Sequence, residues 1–345
     1  MNHGGRVLEF ARERGVDFRD VVDFSANINP LGPSPRVIER MRGVLDRARV
    51  YPHEFADELI GGLSKVLGVR REWILAGNGA TDLIFFWLRV VRPRRVLLFV
   101  PAFSEYRKAL RSAGCETIVH RLRPEDQFRL PRVVDSERCD AVILTNPNNP
   151  SGAFTPPEEM AEWLAQFGPQ TNVFVDEAFV EFTAQPSLVN QAARLPQVWV
   201  LRSMTKFHAI PGIRVGFLVG SGVPRLMVHR EPWQVNVIAE EAGLTAIDDD
   251  AHHEATLQLI QKERLWVWKQ LWNLKNLEPF PSAANFYLAR CRNAGDLDRL
   301  QERLRADNIL IRDCRGTEGL DGDYFRFAIR TRPENERLIR HMEAN

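Results

Sequence analysis

Residues 200–207 have the sequence VLRSMTKF, and residues 211–216 continue with PGIRVG. The apolar start predicts a buried strand, and Lys206 then falls on the turn after it, behind Ser203 and Thr205 and ahead of Arg214. A lysine becomes a nucleophile only when it gives up its proton, which desolvation and nearby cations favour. The segment therefore suits a lysine that forms a Schiff base beside a phosphate pocket. A solvated surface lysine is the alternative, because lysines are mostly exposed.

Two stretches upstream also end apolar runs with polar residues. Residues 141–152 read AVILTNPNNPSG and place Asn149 in a turn-rich loop, and residues 173–179 read VFVDEAF and end a strand at Asp176. A buried carboxylate suits the ring nitrogen of pyridoxal phosphate, and Asn149 could donate a hydrogen bond to its phenolic oxygen. Taken singly, the Asp-Glu pair also fits a Mg²⁺ site and the Asn-Pro loop an ordinary turn. The three motifs in this order within residues 146–214 are far more specific.

Short apolar runs alternate with helical periods over the first part of the chain. Helices are predicted at 81–91, 103–113 and 157–166, and strands at 73–76, 96–100, 117–120, 141–145, 173–176, 198–201 and 215–219. This alternation predicts an open, mostly parallel sheet, in which ligands gather at the carboxyl ends of the strands. From about residue 250 the pattern changes to one long helix followed by strands at 285–289 and 324–329 and helices at 297–305 and 334–342. Trp266, Trp268 and Trp272 on the long helix are expected to pack between domains.

With these motifs, the chain resembles the fold type I pyridoxal-phosphate enzymes over nearly its whole length, in the aminotransferase branch that includes histidinol-phosphate aminotransferase. The resemblance implies an α/β fold with a large domain, built on a mostly parallel mixed sheet, and a smaller α+β domain. It also implies an N-terminal arm at 1–45 that joins the small domain, a cofactor-binding domain at 46–250 and a small domain at 251–345.

The phosphate end of the cofactor pocket is expected at GNGATD, residues 77–82, which follow a strand and open a helix. A dinucleotide motif would need a third glycine, whereas a free helix N-terminus suits a single phosphate. The resemblance assigns the cofactor phosphate to Gly79, Ala80, Thr81, Ser203, Thr205 and Arg214. It places Phe103 against the pyridine ring, where a core phenylalanine is the alternative.

Two aromatic positions carry further expectations from the resemblance. Aminotransferases of this branch usually have a tyrosine where this chain has Phe179, so Asn149 alone remains for the phenolic oxygen. Tyr51 matches a tyrosine that reaches the cofactor phosphate of a neighbouring subunit. The resemblance therefore implies a homodimer with active sites at the interface.

The substrate side is expected to bind two anions. HGG at 3–5, DFSANINPLG at 23–32, ILIRDC at 309–314 and YFRFAIR at 324–330 are most similar to decarboxylases of O-phosphothreonine, which make the aminopropanol phosphate linker of cobalamin. The candidate substrate-binding residues are His3, Gly4, Asn27, Asn149, Arg312 and Arg326. Two guanidiniums suit a phosphate and a carboxylate, because each forms forked hydrogen bonds. The alternatives are a surface ion pair between Arg312 and Asp313, and a flexible N-terminal tail.

Composition excludes several other classes of function. The chain has 345 residues, 44% of them hydrophobic, and a net charge of +1, so neither nucleic acid nor a membrane is an expected partner. Cys115, Cys139, Cys291 and Cys314 are scattered, which predicts free thiols and no metal site. The sequence begins without a basic-then-apolar leader, so a cytoplasmic protein is expected.

Three functions fit these patterns. The first is decarboxylation of O-phospho-L-threonine to aminopropanol phosphate and CO₂, and the second is transamination of histidinol phosphate or a similar amine. The third is a non-catalytic effector domain of a transcription regulator, which is disfavoured because the catalytic set is intact and no helix-turn-helix segment precedes residue 1.

Overall fold

The structure, a computed structural model, describes residues 4–134 and 139–343. Its α-helices are α1 Val7–Arg14, α2 Pro35–Gly43, α3 Asp57–Leu67, α4 Ala80–Val91, α5 Glu105–Ser112, α6 Pro157–Leu164, α7 Val189–Arg194, α8 Met204–Phe207, α9 Val223–Met227, α10 Val237–Ile247, α11 Asp250–Asn273, α12 Asp296–Ala306 and α13 Arg332–Glu343. Its strands are β1 Val22–Asp23, β2 Ile74–Gly77, β3 Arg95–Val100, β4 Glu116–Arg121, β5 Ala141–Thr145, β6 Asn172–Asp176, β7 Val198–Ser203, β8 Gly216–Val219, β9 Leu277–Pro279, β10 Phe286–Cys291, β11 Ile309–Leu310, β12 Arg312–Asp313 and β13 Tyr324–Ala328.

Seven strands form a mixed sheet in the order β2-β8-β7-β6-β5-β3-β4. Only β8 runs antiparallel to its neighbours, so the predicted mostly parallel sheet is confirmed. Every residue of β5 and β7 is buried, because helices cover both faces of the sheet. Alternate residues of each strand then enter two separate cores. Val142 and Val200 belong to one core, and Ile143 and Leu201 belong to the other.

A second, antiparallel sheet has the order β12-β13-β10-β9. It is packed by the apolar faces of α11, α12 and α13, whose Ile260, Leu300 and Leu338 share one core with Phe286 and Phe325. This is the α+β unit that the C-terminal pattern predicted.

The first part of the chain contacts β11 and the C-terminal core on one side and α10 on the other. Val22 pairs in parallel with Ile309 of β11, and Phe24 is buried in the C-terminal core. Farther on, Arg40 of α2 donates to Glu241 of α10 at 2.8 Å. The strand pairing brings this segment to the C-terminal unit, while the division of the chain at residues 45 and 250 stays a prediction.

The expected packing of the α11 tryptophans between domains stays a prediction, because Trp266 and Trp268 pack against a core that contains both Phe286 of the second sheet and Phe207 next to the first. Trp266 lies under the guanidinium of Arg332 at 4.4 Å, and Trp268 stacks on Tyr287 at 5.6 Å. Both contacts stay inside the C-terminal unit, and Trp272 is largely exposed. Helical spacing shows which residues share a face, but it does not show which partner the face packs against.

The described residues contain no helix whose length and apolar character would let it cross a membrane. Within the same residues, no group of three or more histidine, cysteine and acidic side chains is arranged to hold a metal ion.

Candidate active site

A cavity of about 310 Å³ opens at the carboxyl ends of β5, β6 and β7, where the second sheet packs against the first. Most of the residues singled out in the sequence line it: Gly4, Asn27, Ala80, Thr81, Phe103, Asn149, Asp176, Phe179, Ser203, Thr205, Lys206, Arg214, Arg312 and Arg326. Gly79 lies directly beneath Arg214. His3 lies outside the described residues, and Tyr51 does not line the cavity.

Lys206 lies on α8, one short turn after β7 ends. Desolvation is the main cause that lowers the pKa of this amine to about 8, and the charges of Arg326 and Arg214 lower it further. Asp176 acts in the opposite direction, because a nearby negative charge favours the ammonium form. The solvated surface lysine considered above is therefore excluded, and the amine loses its proton around pH 8, well below the range of an ordinary lysine.

Asp176 ends β6 and is buried. One of its oxygens accepts the backbone N–H of Ala178 at 2.8 Å, and the other accepts the hydroxyl of Tyr106. Burial raises the pKa of Asp176 to about 6, while these two hydrogen bonds and the charge of Lys206 restrain the rise. The carboxylate is thus held in one orientation by donors on two sides.

Tyr106 was not singled out from the sequence as a site residue. It lies on the buried face of α5, and burial raises the pKa of its hydroxyl well above the ordinary value. A tyrosine on the apolar face of a helix is itself a signal, because a buried hydroxyl needs a hydrogen-bond partner. Which partner it finds depends on the packing of α5 against β6.

The start of α4 forms an anion seat. No side chain caps its first turn, so its leading N–H groups are free. Gly79 has a φ of +81°, and a Cβ there would lie 2.5 Å from the guanidinium of Arg214, so only glycine fits. A Cβ on Gly216 would lie 2.9 Å from the backbone nitrogen of Ala80, so this glycine allows the helix to approach the sheet.

Two hydroxyls complete the seat. The side chains of Ser203 and Thr205 are buried and lie 2.9 Å apart. Together with the helix N-terminus and Arg214, they offer neutral donors and one cation to an anion the size of a phosphate.

Arg312 and Arg326 are direct partners in the antiparallel register of β12 and β13, so they point from the same face of the sheet. Arg326 donates to the side-chain oxygen of Asn149 and, at 2.8 Å, to the carbonyl oxygen of Ser25. Burial is the main cause that lowers the pKa of Arg326 to about 10, and the charge of Arg312 adds to the effect. The buried Nε of Arg326 has no hydrogen-bond partner within the described residues.

The suggested surface ion pair of Arg312 with Asp313 does not form. Asp313 pairs with Arg315 instead, at 2.7 Å. No described residue forms an ion pair with the guanidinium of Arg312 or accepts a hydrogen bond from it, so its donors are free toward the cavity.

Asn27 is 2% exposed and lines the cavity, yet neither polar atom of its amide has a partner among the residues described. Because an unpaired buried amide costs about 1–3 kcal/mol, this arrangement is that of a ligand-binding group.

Gly4 packs so closely against the carbonyl of Ser25 that a Cβ would collide with it. The hydroxyl of Ser25 accepts the N–H of Gly5 at 2.9 Å and donates to Asp23 at 2.6 Å. Asp23 and Ser25 belong to the motif at residues 23–32, from which no separate role was predicted for either of them. Here they hold the start of the chain against the cavity.

The three aromatic candidates occupy different places. Phe103 lies edge-on to Tyr106 at 6.0 Å and lines the cavity, and Phe179 is buried edge-on to Phe286 at 5.1 Å. Tyr51 is 80% exposed and lies on the ring of Trp233 at 4.8 Å, so its expected role in a neighbouring subunit stays a prediction.

Known proteins are similar to this chain in both sequence and fold. The chain is 37% identical to threonine-phosphate decarboxylase of Salmonella typhimurium over 98% of this chain and 94% of that protein. The structure matches L-threonine-O-3-phosphate decarboxylase of Porphyromonas gingivalis with a TM-score of 0.86 and 26% identity, covering 94% of this chain and 99% of that one. It matches histidinol-phosphate aminotransferase of Clostridium acetobutylicum with a TM-score of 0.87 and 28% identity, covering 94% and 98% respectively.

The family-level match includes every residue that lines the cavity except Gly4. Residues 19–342 match the family described as aminotransferase class I and II, from the segment before β1 through to α13. The chain therefore belongs to the class I and II aminotransferase family.

Proposed function

We propose that this protein is a pyridoxal 5'-phosphate-dependent decarboxylase that converts O-phospho-L-threonine to (R)-1-aminopropan-2-yl phosphate and CO₂ in adenosylcobalamin biosynthesis. The observation that carries the proposal is the pair Arg312 and Arg326, which face one cavity together with Lys206. A substrate with a phosphate and a carboxylate has one anion for each guanidinium, and its amine would meet the cofactor that Lys206 would hold. The similarity to threonine-phosphate decarboxylases over the whole length supports the same reaction.

The cavity fits pyridoxal 5'-phosphate. The uncapped start of α4, Arg214 and the hydroxyls of Ser203 and Thr205 would hold its phosphate. Asp176 would bind the ring nitrogen. Burial raises the pKa of this carboxyl group, and a protonated pyridine beside it would stabilise the ionised form.

The remaining contacts place the ring. Phe103 would cover one face, Asn149 would bind the phenolic oxygen, and Lys206 would hold the cofactor covalently through its amine. When bound, pyridoxal 5'-phosphate withdraws electrons from the bonds at the Cα of an amino acid.

The protein's own residues decide which of those bonds breaks. One guanidinium of the arginine pair binds the substrate phosphate and the other orients the carboxylate that leaves as CO₂. Asn27 and the N-terminal segment with Gly4 complete the substrate wall. Lys206, whose pKa lies near 8, can deliver a proton from Nζ to Cα after the carboxylate has left. Phe179 adds no hydroxyl that would compete with Asn149.

Transamination of a phosphorylated amine such as histidinol phosphate is the second candidate, because histidinol-phosphate aminotransferases share this fold. The two reactions differ in whether the carboxylate or the hydrogen leaves Cα. Purified protein with pyridoxal 5'-phosphate should therefore be incubated with O-phospho-L-threonine, measuring CO₂ and 2-oxo acid in the same sample. CO₂ release supports decarboxylation. Absence of CO₂ together with transfer of the amino group of histidinol phosphate to 2-oxoglutarate would replace it with the aminotransferase.

We further propose that the protein acts as a homodimer in the cytoplasm. Tyr51 and Val50 are both exposed, and Trp233, on which Tyr51 lies, is half exposed, so this apolar surface suits a second copy of the chain. None of the four cysteines, all of which lie in the described ranges, forms a disulfide, as is typical of proteins in a reducing compartment.

A further inference from the structure

One acidic side chain at the cavity has no part in the reaction proposed above. Among the described residues that line the cavity, two are acidic, Asp176 and Glu318. Asp176 faces the cofactor ring, but Glu318 faces a space that must admit a substrate with two anionic groups. A carboxylate in such a place would repel the substrate unless another charge cancels it.

Arg107 supplies that charge. Its Nε donates to Glu318 at 2.6 Å, and its terminal nitrogen makes a second contact to the other carboxylate oxygen. The two side chains are 36% and 34% exposed and both line the cavity, so the pair lies at its opening. Arg107 lies on α5, and Glu318 lies in the segment between β12 and β13. The pair therefore joins a helix beside the first sheet to a loop of the second sheet.

Glu318 is fixed in place by its neighbour. Gly319 has a φ of +91°, and a Cβ there would lie 2.9 Å from the backbone nitrogen of Pro101. Leu320, the next residue, is buried. The backbone around Glu318 therefore cannot swing away without losing these contacts, and the carboxylate stays beside Arg107.

The charges of the cavity show what this pairing does. Five basic side chains line it within the described residues: Arg107, Lys206, Arg214, Arg312 and Arg326. Four of them lie around the proposed cofactor and substrate sites, whereas Arg107 lies at the opening. A free guanidinium there would bind the phosphate of an entering substrate before it reached Arg312 and Arg326.

We propose that Glu318 determines productive substrate binding by cancelling the charge of Arg107, so that the phosphate and carboxylate of the substrate are bound by Arg312 and Arg326. This inference rests on the proposed function, because it assumes a substrate with two anions. A dianionic phosphate is the group most sensitive to such an added cation.

Three variants and one control test it: Glu318→Gln, Arg107→Met, the double variant, and Asp321→Asn. Asp321, three residues after Glu318, pairs with Arg121 of β4 at 3.3 Å, but neither residue lines the cavity. Asp321→Asn therefore weakens a connection of the same loop without changing the cavity's charge, and its kcat and KM should equal those of the wild type.

Glu318→Gln should lower kcat and KM for phosphothreonine together by roughly three- to tenfold, because the substrate is held unproductively at Arg107. Arg107→Met should raise KM by a similar factor with little change in kcat, since Glu318 is then unpaired. The double variant should return KM to within about twofold of the wild type, and all these effects should shrink at high salt.

Calorimetric titration of the cofactor-loaded variants with inorganic phosphate gives a second measurement that does not depend on turnover. Glu318→Gln should bind phosphate more tightly than the wild type, and the double variant should not. Equal loss of kcat in both single variants and the double variant, with unchanged KM and phosphate affinity, would show that the pair only connects two segments and would overturn the proposal. If the wild type releases no CO₂ from phosphothreonine, the proposed function fails, while the phosphate titration still decides the role of Glu318.

Discussion

At the scale of single residues, the lowered pKa of Lys206 is the property on which the proposed chemistry depends. Lys206→Ala should fold, because a smaller side chain leaves only a small space beside the cavity, but it should lose the visible absorbance of lysine-linked cofactor and all turnover. Absorbance spectra and CO₂ release would check this. An alanine variant with full activity would contradict the entire assignment of the site.

The pKa of about 8 also predicts a pH dependence for loading of the cofactor. Only the uncharged amine can attack an aldehyde, and its fraction grows as pH rises toward the pKa and levels off above it. The rate at which cofactor-free protein binds pyridoxal 5'-phosphate covalently should therefore rise up to about tenfold per pH unit below pH 8 and become flat above it. Stopped-flow absorbance between pH 6.5 and 9.5 measures this rate. A rise that continues to pH 10 would show an ordinary, solvated lysine.

Tyr106 should control the pH at which Asp176 takes up a proton. The hydroxyl donates to Asp176 and so lowers the pKa of that carboxyl, which burial raises. Tyr106→Phe removes the donor, so the pKa of Asp176 rises and the carboxylate takes up a proton at a higher pH. The acid limb of the kcat profile should move upward, and kcat at neutral pH should fall by about tenfold. Asp176→Ala, which should bind cofactor but lose activity, is the reference for complete loss; an unmoved acid limb would exclude this role for Tyr106.

At the scale of secondary-structure elements, the register of β12 and β13 places the two arginines side by side. Arg312→Ala should lower kcat/KM for phosphothreonine by about two to three orders of magnitude, because loss of a charged partner that the bound substrate covers costs about 2–5 kcal/mol and each 1.4 kcal/mol is tenfold. Activity with free threonine, which is already poor, should change little. The same two measurements on Arg326→Ala show whether that variant lowers kcat/KM for both substrates. Arg315→Ala, which removes a partner of Asp313 outside the cavity, is the matched control.

The elements also show what the sequence could predict. The strands β5 and β7 were predicted because residues 141–144 and 198–201 are apolar runs, and the ends of the strands differ from the prediction by two residues or fewer. The short strands β1, β11 and β12 have two residues each, too few to show a period, so they follow from tertiary pairing alone. The cavity residues at strand ends were predictable for the same reason that the strands were.

The site residues that were missed act through contacts between distant segments. Tyr106 and Asp176 are 70 positions apart, and Arg107 and Glu318 are 211 apart. No local pattern contains such a pair, because the packing of α5 against two different parts of the chain creates it. The free guanidinium of Arg312 likewise became evident only when Asp313 was found with another partner.

At the scale of the whole molecule, the family resemblance at Tyr51, whose ring is exposed, predicts that each active site needs a second subunit. Mixing Tyr51→Phe with Lys206→Ala protein should form hybrids in which one site carries both substitutions and the other carries neither. Activity should therefore reappear on mixing, up to about a quarter of the wild-type value if exchange is random. Activity assays after subunit exchange and light scattering check this, and a monomer by light scattering would contradict it.

The parallel pairing of Val22 with Ile309 has a consequence for how the protein is made. The ribosome releases β11 roughly 290 residues after β1, so at about 5–20 residues per second roughly 15 to 60 s pass between them. During that time Phe24, which is 0% exposed in the finished protein, has no core to enter. The nascent chain must therefore carry an uncovered aromatic segment until β11 emerges, and its cavity can close only after β12 and β13 have followed.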